Sequence, residues 1–462
     1  MEQLDGSIIA TALPAIAVSL HADPLHLNLA ITSYMFSLAV FIPLSGWVAD
    51  RFGARTVFRA AIVVFIAGSV CCGFSRDMWE LVAARILQGA GGAMMVPVGR
   101  LVMLRTVPRS QLVNAMAWLT TPALVGPVLG PVLGGFIVTY ASWRWIFFVN
   151  LPIGLLGLIL TTIFIPNVKE ESKEPLDLRG FFLMALSLSG LVFGFETVGR
   201  GLIPEAIVIG LLMLGFICLG LYIVHVRGID HPIIDLGLAR YQTYRASITG
   251  GSLFRIGVGA LPFLLPITLQ IGFGVSPATS GLITFSSAAG AVLMKMSAAR
   301  IIRFFGFKPI LVINALVNTV FLAGCAFFTP KTWHAFIFAF LLVGGFFRSL
   351  QFTALNTFAY AEMPPNLISR ANTLYSMLQQ LALSLGVAVG ALILNLTLVV
   401  KGDNHLGPGD FWPAYLGISL LSLLSLPFFT ALPTDAGAEM SGHGKPPPAT
   451  SAKIEDPAGE KS

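Results

Sequence analysis

The chain has 462 residues, of which 56% are hydrophobic and 11% charged, with a mean hydropathy of +0.83 and a formal net charge of +6. A soluble chain of this length keeps about a quarter of its residues charged to solvate its surface, so this composition excludes a soluble globular domain and places the protein in lipid. The basic residues are spread over short loops, which excludes a nucleic-acid patch, and Cys71, Cys72, Cys218 and Cys325 lie inside apolar runs without metal-ligand or disulfide spacing.

A helix crossing hydrocarbon needs about 20 mostly apolar residues. Fourteen segments qualify, and the first eight are Met1–Leu20, Leu27–Ala49, Val57–Phe74, Met78–Leu104, Leu112–Tyr140, Trp143–Ile165, Arg179–Gly199 and Ile203–Val226. The other six are Thr243–Phe273, Pro277–Ala299, Pro309–Phe328, Thr332–Tyr360, Leu367–Val400 and Phe411–Leu432. The expected fold class is therefore all-α integral membrane. The first segment lacks the basic leader of a cleavable signal peptide and reads as a helix with a turn or two missing upstream. The stretch 433–462, rich in Pro, Gly, Ser and Lys, is expected to be a disordered tail.

Alternate loops hold most of the cations, among them Arg51, Arg55, Arg105, Arg109, Arg300, Arg303, Lys308 and Arg370, which predicts that these loops and both termini are cytoplasmic. The stretch from Pro108 through Gly130 and Gly134 aligns without gaps on Pro364 through Gly386 and Gly390, and Arg51-Phe52-Gly53-Ala54-Arg55 echoes Phe304-Phe305-Gly306-Phe307-Lys308. Two related halves suit a transporter with its substrate site between them. The expected organisation is a six-helix bundle over 1–166, two inserted helices with their loops over 167–240, a second six-helix bundle over 241–432, and the tail.

The motifs follow in chain order. Glu2 and Asp5, three apart, share a face of the first helix, and a carboxylate in apolar surroundings can hold and release a proton in a useful range. The plainer account is a charge near the membrane surface. After the second helix comes Gly46-Trp47-Val48-Ala49-Asp50-Arg51-Phe52-Gly53-Ala54-Arg55. Asp50 ends a helix whose C-terminal dipole is already negative, so it needs cations near, for which Arg51 and Arg55 are candidates. Gly53 permits a tight turn. A basic topology loop explains the arginines but not Asp50.

The fourth helix carries Arg85 and Gln88 on one face, followed by Gly89, Gly91 and Gly92. An arginine inside the bilayer costs about 2.5–3.5 kcal/mol on insertion scales, so it must face a partner or a cavity unless it snorkels to the interface. The fifth helix carries Gly126-Pro127-Val128-Leu129-Gly130-Pro131-Val132-Leu133-Gly134-Gly135. Glycines four apart make a groove for another backbone, and two prolines are expected to bend the helix. Arg255 and Arg348 lie deep in the second half and suggest a cationic face for an anionic substrate, or plain structural pairing. Lys295 is expected to snorkel, Glu196 to be interfacial and Asp177 to cap a helix N-terminus. Gln270, Gln351, Asn356, Gln379 and Gln380, with Gln88, are candidates to line a cavity or to join helices. No P-loop, zinc or nucleophile-elbow motif is present, and no enzymatic activity is expected.

These stretches resemble the major facilitator superfamily. Its signature between helices two and three matches Gly46, Asp50, Arg51, Gly53 and Arg55, with Ala54 in place of one usual basic residue, and in the family that loop latches two bundles on the cytoplasmic side. Arg85, Gln88 and Gly89 resemble the family's fourth-helix motif, whose arginine takes part in proton coupling. The Gly126–Gly135 run resembles its antiporter motif, which is associated with exporters. Leu4 through Pro14 resembles the first-helix motif of the fourteen-helix drug:proton antiporter family, whose Asp corresponds to Asp5. The resemblance implies a major facilitator fold with two six-helix bundles plus two extra central helices. It implies alternating access driven by the proton gradient without any cofactor, Asp5 as proton carrier, Glu2 as auxiliary and Arg85 as coupling cation. The implied partners are the lipid bilayer, protons and a small drug-like or amphipathic substrate, with no nucleic acid; the setting is a monomer in a bacterial cytoplasmic membrane. Two other readings stand beside it: an exporter of organic anions or metal chelates, motivated by Arg255 and Arg348, and an uncoupled membrane receptor or channel-like protein.

Overall fold

The computed structural model describes residues 2–20, 24–167, 175–198, 203–229, 232–402, 406–441 and 443, and among them there are helices and turns but no strand. The helices, in chain order, are α1 (Glu2–Leu20), α2 (Pro24–Phe41, carried on through a turn by Ser45–Phe52), α3 (Ala54–Phe74), α4 (Met78–Thr106) and α5 (Leu112–Tyr140). Then come α6 (Trp145–Phe148 and Asn150–Phe164), α7 (Leu178–Thr197), α8 (Glu205–Val226), α9 (Gln242–Gly259, continued by Leu261–Ile267) and α10 (Pro277–Phe305). Last are α11 (Phe307–Cys325), α12 (His334–Phe358), α13 (Ile368–Lys401) and α14 (Trp412–Leu423 and Leu426–Thr430). Among the described residues 12 of these spans, α2–α4 and α6–α14, are long and apolar enough to cross a membrane. The helices α1 and α5 occupy the first and fifth expected segments.

Each expected segment finds its helix, and the ends differ where charge hides a helix. Arg300 and Arg303 read as loop residues, but α10 runs on to Phe305 and stops only at Gly306, whose φ is +78°. Gly53 ends α2 in the same way at φ +90°, and both glycines serve at once as the end of one helix and the start of the next. That left-handed backbone is where a side chain is strained and glycine is not. The second echo is closer still. The turn Arg109–Gln111 precedes α5 and the turn Pro365–Leu367 precedes α13, and the residues before them, Pro108 (φ −56°, ψ 144°) and Pro364 (φ −60°, ψ 145°), share one backbone conformation. The repeat seen in the residues is thus a repeat of turn geometry.

The α5 helix runs as one unbroken helix past both prolines and packs against α1, α10 and α12. The side chains of Pro127 and Pro131 lie outside the described residues, while Gly126, Gly130 and Gly134 are buried. Its counterpart α13 packs against α9, where a Cβ on Gly386 would sit 2.3 Å from the Ile256 carbonyl oxygen. The interrupted helix is α9, which breaks after Gly259 and carries Pro262 and Pro266 before a π-turn over Thr268–Gly272.

Asp177 caps α7 as expected, its Oδ1 accepting from the Gly180 amide at 2.8 Å. The α7 helix packs against α8, α2 and α13, so the inserted pair touches both halves. The outer face of α8 exposes Ile207, Ile209, Phe216 and Val224, a surface suited to lipid and not water. The side chain of Glu196 lies outside the described residues.

The expected disorder after Pro433 is corrected over its first residues. The chain from 433 to 441 is folded, ends in the short helix Ala438–Ser441, and buries Met440 to 2% exposure. An apolar anchor within a polar stretch is what composition alone overlooked.

Close helix contacts of α10 and α12 depend on Gly290 and Gly345, where a Cβ would fall 1.8 Å from the Leu342 carbonyl oxygen and 2.0 Å from that of Ser287. Gly290→Ala is expected to destabilise the protein by about 1–3 kcal/mol through overpacking. Gly281→Ala on the same helix, with nothing within 4 Å of the added carbon, is expected to be neutral. Thermal denaturation of the two variants in detergent, followed by size-exclusion chromatography, checks the contrast.

Candidate functional site

The most charged part of the interior is built by α1, α3, α4 and α6. Its frame is a ladder of glycines on α4. A Cβ on Gly89 would lie 2.7 Å from the Tyr34 carbonyl oxygen of α2, and one on Gly91 would lie 2.5 Å from the Phe65 amide of α3. On α3, a Cβ at Gly68 would meet the Gln88 backbone at 2.6 Å. Small residues therefore draw α2 and α3 onto α4 and bury the polar face that α4 carries.

That face meets Asp5. Arg85 Nη1 lies 2.5 Å from Asp5 Oδ2, and the two side chains are 0% and 2% exposed. Gln88 Nε2 and Asn150 Nδ2 each donate to Asp5 Oδ1 at 2.9 Å. Gln88 Oε1 accepts from Arg85 Nη1 at 2.7 Å, and Ser69 Oγ accepts from Gln88 at 2.7 Å and from Asn150 at 3.3 Å. Arg85 Nε donates to the Ala30 carbonyl at 3.1 Å, and its guanidinium lies 4.3 Å from the Tyr34 ring centroid. Among the described residues, Arg85 Nη2 and Asn150 Oδ1 are buried without a hydrogen-bond partner.

Asp5, then, is no surface charge, and Arg85 does not snorkel. Gln88, expected in a substrate cavity, belongs to this network instead. Glu2 opens α1, and its side chain lies outside the described residues. Asn150 was not anticipated, although it is the one amide in the segment Trp145–Phe164 and could have been found on that ground. Ser69 carries no such signal. A buried carboxylate with three donors and a buried guanidinium with a carboxylate, an amide and a carbonyl form the arrangement that makes ionised groups tolerable in low dielectric.

The second region is the end of the bundle that carries the basic loops. Arg105 Nη2, from the last turn of α4, lies 2.7 Å from Asp50 Oδ1. This corrects the expectation of Arg51 or Arg55, since Arg51 turns back over the Trp47 ring at 5.5 Å. The reason is reach: α2 and α4 run in the same direction, so the last turn of α4 lies beside the C-terminal end of α2 that carries Asp50. Gly46 is the contact with the other half, because a Cβ there would lie 2.5 Å from Thr373 Oγ1 and 2.9 Å from Ser369 Oγ. Arg109 donates to the carbonyls of Ala361 and Met363 at 3.2 and 3.3 Å, and Asn372 Nδ2 donates to the Pro97 carbonyl at 2.7 Å. These bonds join the two repeats at the basic end.

The third region lies between α4 and the second repeat. Arg255 donates to Asn356 Oδ1 at 3.3 Å and to the Tyr375 hydroxyl, which itself donates to Asn356 Oδ1 at 2.8 Å. Arg100 donates to Ser376 Oγ and Gln379 Oε1, both at 3.4 Å. Both guanidiniums stack on the same Tyr375 ring, 4.8 Å and 5.4 Å from its centroid. Arg255 and Arg100 are 1% and 4% exposed, and Arg255 Nε has no hydrogen-bond partner among the described residues. Arg100 escaped the sequence reading because it sits near the basic end of its helix, where an arginine ordinarily reaches water.

Several expected cavity residues lie elsewhere. Arg348 bonds Ser287 on α10 and lines a space of about 20 Å³ with Asn318 and Cys325, so it shares no face with Arg255. Gln351 donates to the Leu311 carbonyl at 3.2 Å and ties α12 to α11. Gln270 sits exposed in the π-turn and donates to Ser280 at 3.3 Å. Lys295 is 9% exposed and donates to Thr353 Oγ1 at 2.7 Å, so it is an interior residue and not a snorkelling one.

Breaking the Asp5–Arg85 pair from one side leaves an uncompensated buried charge. Arg85→Leu is expected to cost about 3–5 kcal/mol, and Asp5→Asn added to it should recover much of that loss. A double-mutant cycle on thermal stability in detergent measures the recovery; additive losses would contradict the pairing.

Comparison with known proteins agrees with this architecture. The family model described as Major Facilitator Superfamily matches residues 1–240 and 247–455. A protein of Escherichia fergusonii named "Putative multidrug resistance protein MdtD" is 39% identical over 440 residues, covering 94% of this chain and 93% of its own. A protein of Escherichia coli O6:H1 with the same name is 39% identical over 444 residues, with the same coverage. Among solved structures, the human organic anion transporter MFSD10 superposes with a TM-score of 0.64 at 16% identity, over 92% of this chain and 89% of its own. The proton:xylose symporter XylE superposes with a TM-score of 0.65 at 16% identity, over 96% and 95%. A model matched along almost the whole chain, relatives at this identity and a shared fold agree with the repeated turns and the charged first half, and the chain belongs to the Major Facilitator Superfamily.

Proposed function

We propose that this protein is a proton-coupled exporter of drugs or other amphipathic small molecules that works by alternating access. The observation that carries the reading is the Asp5–Arg85 pair, sealed from solvent and held by Gln88 and Asn150. In this state Asp5 Oδ2 lies against Arg85 Nη1. When a proton reaches Asp5 the pair is lost and Arg85 becomes a buried cation without its counter-ion, at a cost of several kcal/mol. Moving a two-state equilibrium from 1:99 to 99:1 takes about 5.5 kcal/mol, so one protonation event is of the right size to bias which side is open.

The rest of the cycle follows from the same parts. The bonds of Arg109, Asn372 and Arg100 hold the basic end closed. The two six-helix halves, α1–α6 and α9–α14, are the bodies that rock. The distribution of basic loops supports a cytoplasmic position for that end and for both termini in a bacterial inner membrane, with the protein acting as a monomer. Export, and not import, is supported by the buried glycines of α5 and by the multidrug resistance relatives. Glu2 assists at the start of α1.

A second reading has its own observation. Arg100 and Arg255 are buried against one tyrosine, and neither meets a carboxylate among the described residues. Two cations without a counter-ion suit a substrate that brings one, an organic anion or a metal chelate.

Adding substrate to energised everted vesicles is expected to dissipate the pH gradient, and Asp5→Asn is expected to abolish that signal while the protein still inserts. Export at an unchanged rate after the pH difference and voltage are both collapsed refutes coupling. For the second reading, Arg255→Ala is expected to lower anion transport at least tenfold and to spare lipophilic cations; equal loss of both classes removes it.

A further inference from the structure

After α14 the chain does not leave the protein. Lys308 Nζ donates to the Leu432 carbonyl at 2.5 Å, which pins the exit to the start of α11. The chain then turns at Gly437, φ +72°, so close to the second repeat that a Cβ would lie 2.8 Å from the Phe307 ring and 3.1 Å from that of Phe358. From there it crosses to the first repeat. The helix Ala438–Ser441 packs on the turn Arg109–Gln111 and on α5, while still touching α10. Glu439 Oε2 lies 3.3 Å from Arg109 Nη1, and Met440 enters a core cluster shared by Leu112 and Val113 of the first repeat and Phe307 and Phe358 of the second. Beyond it, His443 Nδ1 lies 3.3 Å from the Arg303 carbonyl, back on the second repeat.

We propose that residues 433–441 form a strap that spans the two repeats at the basic end and restrains that end from opening. Arg109 is the shared anchor, because the same guanidinium holds Glu439 of the strap and the Ala361 and Met363 carbonyls of the opposite repeat. Parting the repeats pulls Met440 from its cluster or drags the strap off one side. The ion pair is the weaker anchor, with side chains 44% and 71% exposed. Met440 is the stronger one, because its burial depends on both repeats being together. The strap therefore sets how often the basic end opens, separately from the charge network near Asp5.

The inference rests on the alternating-access reading only in taking the basic end as one that opens. Spin labels at Ser110 and Asn366, exposed and at matching places on the two repeated turns, report that opening by double electron–electron resonance in nanodiscs, with the four native cysteines replaced. Two variants are used, Met440→Asp and a truncation after Leu432, with Met440→Leu as the control. The expected result is at least a threefold rise in the long-distance population for both variants and none for the control. A long-distance population that exists in the intact protein but is unchanged in both variants overturns the strap. No long-distance population in any protein at any pH overturns the alternating-access reading, and the strap with it.

Discussion

The structure turns on one carboxylate and one guanidinium kept together out of water. Neither Asp5 nor Arg85 is tolerable alone in a low-dielectric interior, so each makes the other's position obligatory. Everything around them serves that requirement. Glycines on α3 and α4 bring the backbones close enough to exclude water, Gln88 and Asn150 occupy the lone pairs the arginine leaves, and the Tyr34 ring covers the guanidinium.

The two repeats share turn geometry but not charge. The first holds a matched pair. The second holds Arg255 and Lys295, answered by hydroxyls and amides, and receives Arg100 from the first. A duplicated scaffold thus carries two unlike interiors, one closed on an ion pair and one whose buried arginines meet hydroxyls and amides among the described residues. The inserted pair α7–α8 and the chain after α14 are additions outside the repeat, and both touch the two halves at once.

Much of the fold was legible because a lipid-spanning helix announces itself by length and apolarity. The errors came where that rule is silent. Arg300 and Arg303 looked like loop because charge marks the end of hydrocarbon, not the end of a helix. Residues 433–441 looked disordered because one methionine among polar neighbours does not shift a composition average. Gln351 and Gln270 looked like cavity residues because an amide in a membrane helix has the same appearance whether it faces a cavity, a neighbouring carbonyl or the rim.

Sequence alone determined the class of the protein, the run of helices and the repeat, and singled out Asp5, Arg85 and Gly46 as residues in need of partners or close contacts, since each rests on local spacing or on the cost of a charge in oil. Tertiary structure decided the partners. Arg105 and not Arg51 answers Asp50, Gln88 and Asn150 join Asp5, Arg100 meets Tyr375, and Met440 is an anchor. A residue's burden is written in its own chemistry, but its relief comes from whichever helix packing brings within about 3 Å, and that distance exists only once the bundle has assembled.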